Sequence, residues 1–408
     1  MNTIAIEDSF GLSTCSKQAI AVERGAGSYV WDEQGRRYLD FTSGWGVTAL
    51  GHAHPVIVSA INAQAAKIMQ NPNSGFTYSP VRSRLLQKMQ QVLPTGLKRV
   101  FFANSGAEAN DAAIKLARKI TGRSVVIAIS GSFHGRTLST LSVSGGPDNA
   151  ARYLPKVPDN MFIALDDEDA LAQIFSQHAV AAVIIEPVQG EGGVRVVSRQ
   201  FFHALENLCK HNGALLIADE VQSGYCRTGS FFAVENTGVS PDILTMGKGI
   251  AGGFPFAAFA VTDAVARGVE KGDHGGTYCG NPLGCAVAEA VLAYMLNHDV
   301  GQQVQVSGRL LSGALKAALK PFSGLVKELR CAGLLIGLQL GSDEQVQRLT
   351  QICLDNGLLV TPTRNAVLRI IPSLLVNEQE IEEGVTLLQH SLTQLQNEQN
   401  LSVQAKTA

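Results

Sequence analysis

The sequence predicts an α/β fold with a mainly parallel sheet of seven strands, and three observations predict it. Between about residues 75 and 285, short apolar runs recur at 100–103, 125–129, 161–165, 182–186, 214–218, 243–246 and 257–261. They are brief, apolar throughout and rich in β-branched residues, as strands covered on both faces must be. Helical patterns separate them, and strands alternating with helices make a parallel sheet. Polar or Gly-rich segments follow several runs at the end where open α/β sheets bind ligands: Asn104-Ser105-Gly106, Ser130-Gly131-Ser132, Glu186-Pro187, Asp219-Glu220 and Gly247-Lys248.

Elements outside this sheet follow the same signals. Residues 28–41 read as two short strands joined at Gln34-Gly35. After Gly284-Cys285 a long helical stretch, about 285–318, leads to a smaller unit. There 334–340 and 367–371 read as strands, and 344–356 and 378–396 as helices. The last ten residues or so are polar and expected to fray. A chain of 408 residues implies two or three domains, divided as an N-terminal segment 1–70, a large domain 71–290 and a small domain 291–408.

Composition excludes several classes of function. With 45% hydrophobic and 17% charged residues the chain can bury a large core, and disorder is not indicated. A net charge of −2 and the lack of a dense Lys/Arg stripe argue against nucleic acid as a partner. The seven cysteines (15, 209, 226, 279, 285, 331, 353) form no C-x-x-C pair, which reads as reduced thiols. The N-terminus lacks a basic region followed by an apolar stretch, and no run of about eighteen apolar residues occurs. The expectation is a cytoplasmic protein with no membrane partner.

Five segments carry candidate chemistry. Asn104 to Asn110 runs from a strand end through a Ser-Gly turn into a helix, whose free N–H groups and dipole favour a phosphate or merely cap the helix. No G-x-x-x-x-G-K-[ST] is present, so a nucleotide triphosphate loop is unsupported. In Phe133-His134-Gly135-Arg136, the aromatic suits stacking on a planar ring or plain core packing, and the arginine offers a fork for a carboxylate. Glu186 to Gly193 carries two acids on a Gly-rich loop, open to glycoside hydrolysis by count but better suited to pairing with an active-site arginine. Asp219-Glu220 lacks a third ligand at metal spacing, and His52-Ala53-His54 lacks a partner motif, so no metal is expected. Gly275 to Pro282 is a Gly-rich, hydroxyl-bearing loop.

Lys248 and Asp219 close two apolar runs 29 residues apart. An aspartate can hold a pyridine nitrogen protonated and a lysine can form a Schiff base with an aldehyde, which are the two groups pyridoxal 5'-phosphate (PLP) most needs.

Taken in order, these segments resemble the class III (subgroup II) aminotransferases of PLP fold type I, most closely the acetylornithine and ornithine enzymes. The matching stretches are Leu50 to Pro55, Asn104 to Asn110, Phe133 to Thr137, Glu186 to Gly193, Asp219 to Gly224, Lys248, Gly276-Thr277-Tyr278 and Leu368 to Ser373. The resemblance spans residue 28 to about 376. It implies a small α+β domain drawn from both chain ends and a catalytic pair, Lys248 for the Schiff base and proton transfer, Asp219 for the ring nitrogen. Ser105, Gly106 and Ala107 would hold the phosphate, with Thr277 reaching the phosphate of a partner subunit in a homodimer. Phe133 and Val221 would cover the ring faces, with His134 and Glu186 alongside and Gln222 near the 3'-oxygen. Arg369 would bind the α-carboxylate, Glu191 would neutralise Arg369 when that charge is missing, Arg136 would take a second carboxylate, and Trp45 would line the entrance. Two positions depart from the family pattern. Ala107 is often Thr, and Trp45 replaces an aliphatic residue or Tyr where the donor is chosen.

The resemblance thus implies transfer of the terminal amino group of an ornithine-like donor to 2-oxoglutarate. Transaminases for other diamines, ω-amino acids or simple amines, a glutamate-semialdehyde aminomutase, and a non-catalytic binding module remain the alternatives.

Overall fold

The structure, a computed structural model, describes residues 2–145 and 153–407, with side chains as far as Leu401. All seven apolar runs are strands of one sheet: β1 (Leu97–Ala103), β2 (Val125–Ile129), β3 (Asn160–Ile163), β4 (Val180–Ile185), β5 (Leu215–Asp219), β6 (Ile243–Met246) and β7 (Ala257–Thr262). Their spatial order is β1-β7-β6-β5-β4-β2-β3. Every neighbouring pair is parallel except the two made by β7, which runs against both β6 and β1. The sheet is therefore mainly parallel with one reversed strand.

Burial explains the apolar runs. Every residue of β4, Val-Ala-Ala-Val-Ile-Ile, is buried, because helices cover both faces of a central parallel strand. Fully burying each valine or isoleucine contributes about 1.5–3 kcal/mol. Helix Gly106–Thr121 packs a stripe of alanines (Ala109, Ala113, Ala117) and Ile114 against the sheet, and these small side chains let its backbone approach closely.

The chain ends build two further four-stranded sheets. Val22–Ala26, Tyr29–Asp32 and Arg37–Asp40 form an antiparallel meander, and Leu358–Leu359 joins its edge in parallel. The turn between the second and third of these strands falls at Gln34-Gly35, with Gly35 at φ +78°. The second sheet contains Glu328–Ala332, Leu335–Gln339, Val367–Ile370 and Thr361–Thr363.

Three differences from the sequence reading have physical causes. The stretch 285–318 is two helices, Pro282–Asn297 and Val300–Ala318, because Asp299 adopts a left-handed conformation and caps the second through the Gln302 N–H. The strands Val22–Ala26 and Glu328–Ala332 carry charged, part-exposed residues that mask their period. The terminal helix extends from Glu378 to Thr407, and the side chains of 402–408, within the segment expected to fray, lie outside the described residues. No helix among the described residues is long and apolar enough to cross a membrane.

Candidate active site

Asp219 ends β5 with its side chain buried, and three groups hold it. The Asn110 side-chain amide donates to Oδ2 at 2.7 Å, His134 Nδ1 lies 2.7 Å from the same oxygen, and the Val221 N–H donates to Oδ1 at 2.9 Å. A carboxylate only accepts, so the His134 proton is assigned to Nδ1. His134 Nε2 is buried without a partner among the described residues.

Glu186 follows β4 and is buried beside this pair. Its Oε1 accepts from the Phe133 N–H at 2.7 Å, which fixes the loop carrying the aromatic. Burial pushes its carboxyl up to about 7, while His134 pulls in the opposite direction. Glu220, next to Asp219, faces away from the site. It takes the Ser223 hydroxyl and the Val234 N–H, and burial raises it too, to about 7.

Lys248 lies just beyond β6, at φ +47°, where the chain turns sharply into the short helix Lys248–Ala251. That left-handed conformation is uncommon for a side chain with a Cβ. Its amine has no hydrogen-bond or ion-pair partner among the described residues. Although the residue as a whole is part exposed, burial of the amine pulls it down to about 8, helped by Arg369 and opposed by Glu191, Glu186 and Asp219. The two acids at the strand tips and the Arg369 guanidinium thus all reach the amine, so the large sheet and the C-terminal sheet converge on one site.

Ser105 caps helix Gly106–Thr121 by accepting the Glu108 N–H at 3.2 Å, and Glu108 in turn accepts the Asn104 N–H at 2.8 Å. The N–H groups of Gly106 and Ala107 have no intrahelical acceptor and remain available to an anion. Gly106 is required by close approach. A Cβ there would fall 2.7 Å from Val221 Cγ1, so the helix start, Val221 and Gly247 pack into one narrow corner. Phe133 is half-buried, with the exposed Arg136 guanidinium 5.6 Å from its ring centre.

The C-terminal four-stranded sheet supplies Arg369 from strand Val367–Ile370. It is 0% exposed, yet only Nη1 is bonded, to Glu191 Oε1 at 2.5 Å and to Gln222 Oε1 at 3.4 Å. Its Nε and Nη2 have no partner among the described residues. The loop bearing Glu191 comes so close that a Cβ on Gly190 would lie 1.6 Å from Gln222 Oε1. Gln222 also donates to the Trp45 carbonyl at 3.2 Å. Trp45, at φ +64° and 58% exposed, sits in a turn laced to the Arg369 strand through Ile371 N–H to Phe41 O and Leu374 N–H to Ala49 O.

Thr277 lies apart from this cluster. It is exposed, and its carbonyl accepts from Gln70 and Ser74, both at 2.6 Å. His52 binds Asp40 at 2.8 Å and His54 caps the helix Pro55–Ala65, so neither faces the site. No group of three or more potential metal ligands occurs among the described residues.

Two residues in the centre were given no role from sequence, although Asn110 ends one of the candidate segments. Asn110 is the polar member of an alanine-rich buried face, and Thr245 interrupts the apolar run of β6. A lone polar side chain inside a buried stripe is the signal that marks both.

The residues present fit PLP on structural grounds. An unpartnered amine, a thrice-bonded carboxylate, free N–H groups at a helix start and a corner closed by Val221 match its aldehyde, ring nitrogen, phosphate and ring face. Comparison with known proteins agrees. The family model "Aminotransferase class-III" matches residues 13–392. An acetylornithine aminotransferase of Vibrio cholerae is 41% identical over 91% of the chain and 93% of its own length. One from Methanothermobacter thermautotrophicus is 37% identical over 96% of the chain and 98% of its own length. Among solved structures, an ornithine aminotransferase of Toxoplasma gondii superposes with a TM-score of 0.91 at 31% identity, covering 97% of this chain and 95% of that one.

Proposed function

The chain belongs to the class-III aminotransferase family and is a PLP-dependent transaminase; from that premise we propose that it moves the terminal amino group of an ornithine-like donor, N-acetylornithine or ornithine, to 2-oxoglutarate. One observation carries this reading. Arg369 is wholly buried beside the Lys248 amine, is paired to Glu191 through a single nitrogen, and keeps two nitrogens open. A buried guanidinium left half-satisfied is costly unless a ligand carboxylate completes it.

When bound, PLP supplies an aldehyde for the incoming amino group and a ring that accepts the electron pair released at the substrate carbon. Asp219 would hold a proton at the ring nitrogen, and its three hydrogen bonds fix the carboxylate in place for that task. Gly106 and Ala107 offer their N–H groups to the phosphate and Ser105 its hydroxyl proton, since the Ser105 oxygen already accepts from Glu108. Phe133 and Val221 would cover the two ring faces, with His134 and Glu186 supporting them from the side and Gln222 near the 3'-oxygen. Lys248 Nζ would take the proton from the substrate carbon and return it two atoms along, on the far side of the transferred nitrogen. Its lowered basicity suits an exchange in both directions near neutral pH.

Arg369 binds the α-carboxylate of 2-oxoglutarate and Arg136, at the exposed rim, its second carboxylate. With an ω-amine donor the chain beside Arg369 carries no charge, and Glu191 then satisfies the guanidinium. Trp45 lines the entrance, where the donor's far end lies. The partner subunit's Thr277 completes the phosphate site in a homodimer. In support, Thr277 is exposed, and Met69, Phe76, Tyr78 and Tyr278 in the adjoining segments present exposed apolar surface. Seven unpaired cysteines fit a cytoplasmic location.

The test is a donor panel of N-acetylornithine, ornithine, diaminobutyrate, 4-aminobutyrate and simple amines, with glutamate production measured. The acetylated or free ornithine should lead. Turnover without any added 2-oxoglutarate would replace this reading with an aminomutase, and preference for amines lacking a carboxylate would replace the donor.

A further inference from the structure

We propose that Asn110 is a positioning residue for the reaction: its one amide group locks together the parts of the chain that seat the coenzyme. The inference rests on the reading that Asp219 meets the ring nitrogen. Asn110 lies one turn into the helix whose first N–H groups face the phosphate, and it is 1% exposed. Each of the three hydrogen bonds of its side chain leads to a different piece of the site. Nδ2 donates to Asp219 Oδ2 at 2.7 Å and to the His134 carbonyl at 2.8 Å. Oδ1 accepts from the Thr245 hydroxyl at 2.6 Å.

These partners fix the amide without ambiguity. A carboxylate and a carbonyl can only accept, so both must face the NH2 group, and the oxygen must face Thr245. Thr245 stands three residues before Lys248 on β6 and its own carbonyl accepts the Glu220 N–H at 3.0 Å, which ties the tips of β5 and β6 together. The His134 carbonyl belongs to the loop that carries Phe133. One side chain therefore sets the phosphate helix, the ring-nitrogen acid, the stacking loop and the lysine strand in register. Buried away from water, such a network is strong when every member is satisfied and costly when one is removed. By occupying Oδ2 from two sides, Asn110 and His134 also leave Oδ1, with only the Val221 N–H on it, as the oxygen open to the ring.

The experiment compares Asn110→Ala, Asn110→Asp, Thr245→Val and Asp219→Asn holoenzymes. Readouts are the coenzyme dissociation constant, the circular dichroism of bound coenzyme in its visible band, and the single-turnover rate set against the donor KM. Losing a hydrogen bond to a charged group should weaken coenzyme binding by about tenfold or more in Asn110→Ala, with a parallel fall in single-turnover rate and little change in donor KM. Asn110→Asp keeps the shape but replaces two donors by acceptors facing a carboxylate, and its loss should equal or exceed that of the alanine variant. Thr245→Val, nearly isosteric, should shift the dichroism and the affinity in the same direction by less. Should Asn110→Ala give no soluble protein, Thr245→Val and Asn110→Asp decide by the same readouts. Parent-like affinity, dichroism and rate in the Asn110 and Thr245 variants, beside losses in Asp219→Asn, would overturn the proposal alone. Parent-like values in Asp219→Asn as well would remove the reading of Asp219 and the proposal with it.

Discussion

The two halves of the active site are built to opposite rules. On the large sheet, Asp219 receives three hydrogen bonds, and the amide that holds it has both its donors and its oxygen engaged. On the C-terminal sheet, Arg369 is just as deeply buried but uses a single nitrogen, and its partner Glu191 is part exposed. The first arrangement can hardly move without losing several bonds at once. The second can exchange one carboxylate for another at little cost. A transaminase needs both, because the coenzyme stays while two different substrates take turns in the same pocket.

The sharpest break in this comparison falls on Lys248, which belongs to the rigid half. Lys248→Ala should fold and still bind coenzyme, yet lose turnover by on the order of 10⁴-fold, since the proton carrier is gone. Steady-state glutamate formation checks this, and appreciable retained activity would remove the mechanism. Next comes the adjustable half. Arg369→Ala should raise the KM for 2-oxoglutarate by about 10²-fold, the cost of truncating a buried charge that binds a carboxylate. An unaltered KM would show that the carboxylate sits elsewhere.

Glu191→Gln separates the two substrates. With the counter-charge removed, kcat/KM for the donor should fall by about tenfold while the 2-oxoglutarate half-reaction holds or improves. Equal losses in both half-reactions would mean that Glu191 does not switch between them. The smallest effect is one of pH. The Lys248 amine must be neutral to attack an aldehyde, and its folded value of about 8 lies below the ordinary 10.5. The neutral fraction therefore rises as pH climbs toward 8, and the rate of loading coenzyme into the stripped protein should rise about fivefold from pH 7 to 8, then level off. A rate still climbing steeply above pH 9 would restore an ordinary lysine.

The rigid half was the more legible in sequence. The inner strands β2 and β4 to β7 are short, apolar and almost wholly buried, so length and composition sufficed to place them, and Asp219 and Lys248 stand at the tips of β5 and β6. The adjustable half rests on Arg369, Glu191, Gln222 and Trp45, which come from four separate segments. Only the family resemblance linked them, since no local period connects residue 45 with 369. Asn110 stayed silent because a helix-forming pattern looks the same with an asparagine on its inner face. Edge strands such as Glu328–Ala332 escaped for a related reason: their exposed, charged residues erase the alternation that a half-buried strand would show.

The pairing of Leu358–Leu359 with Arg37–Asp40 has a consequence for biogenesis. Strands β1 to β7 are complete once residue 262 has left the ribosome, so the central sheet can consolidate during synthesis. The first forty residues must instead wait, with one sheet edge open, until more than three hundred further residues have been translated. The turn holding Trp45 and the strand holding Arg369 are thus sewn together last, and selectivity for the amine matures after the scaffold that will hold the vitamin.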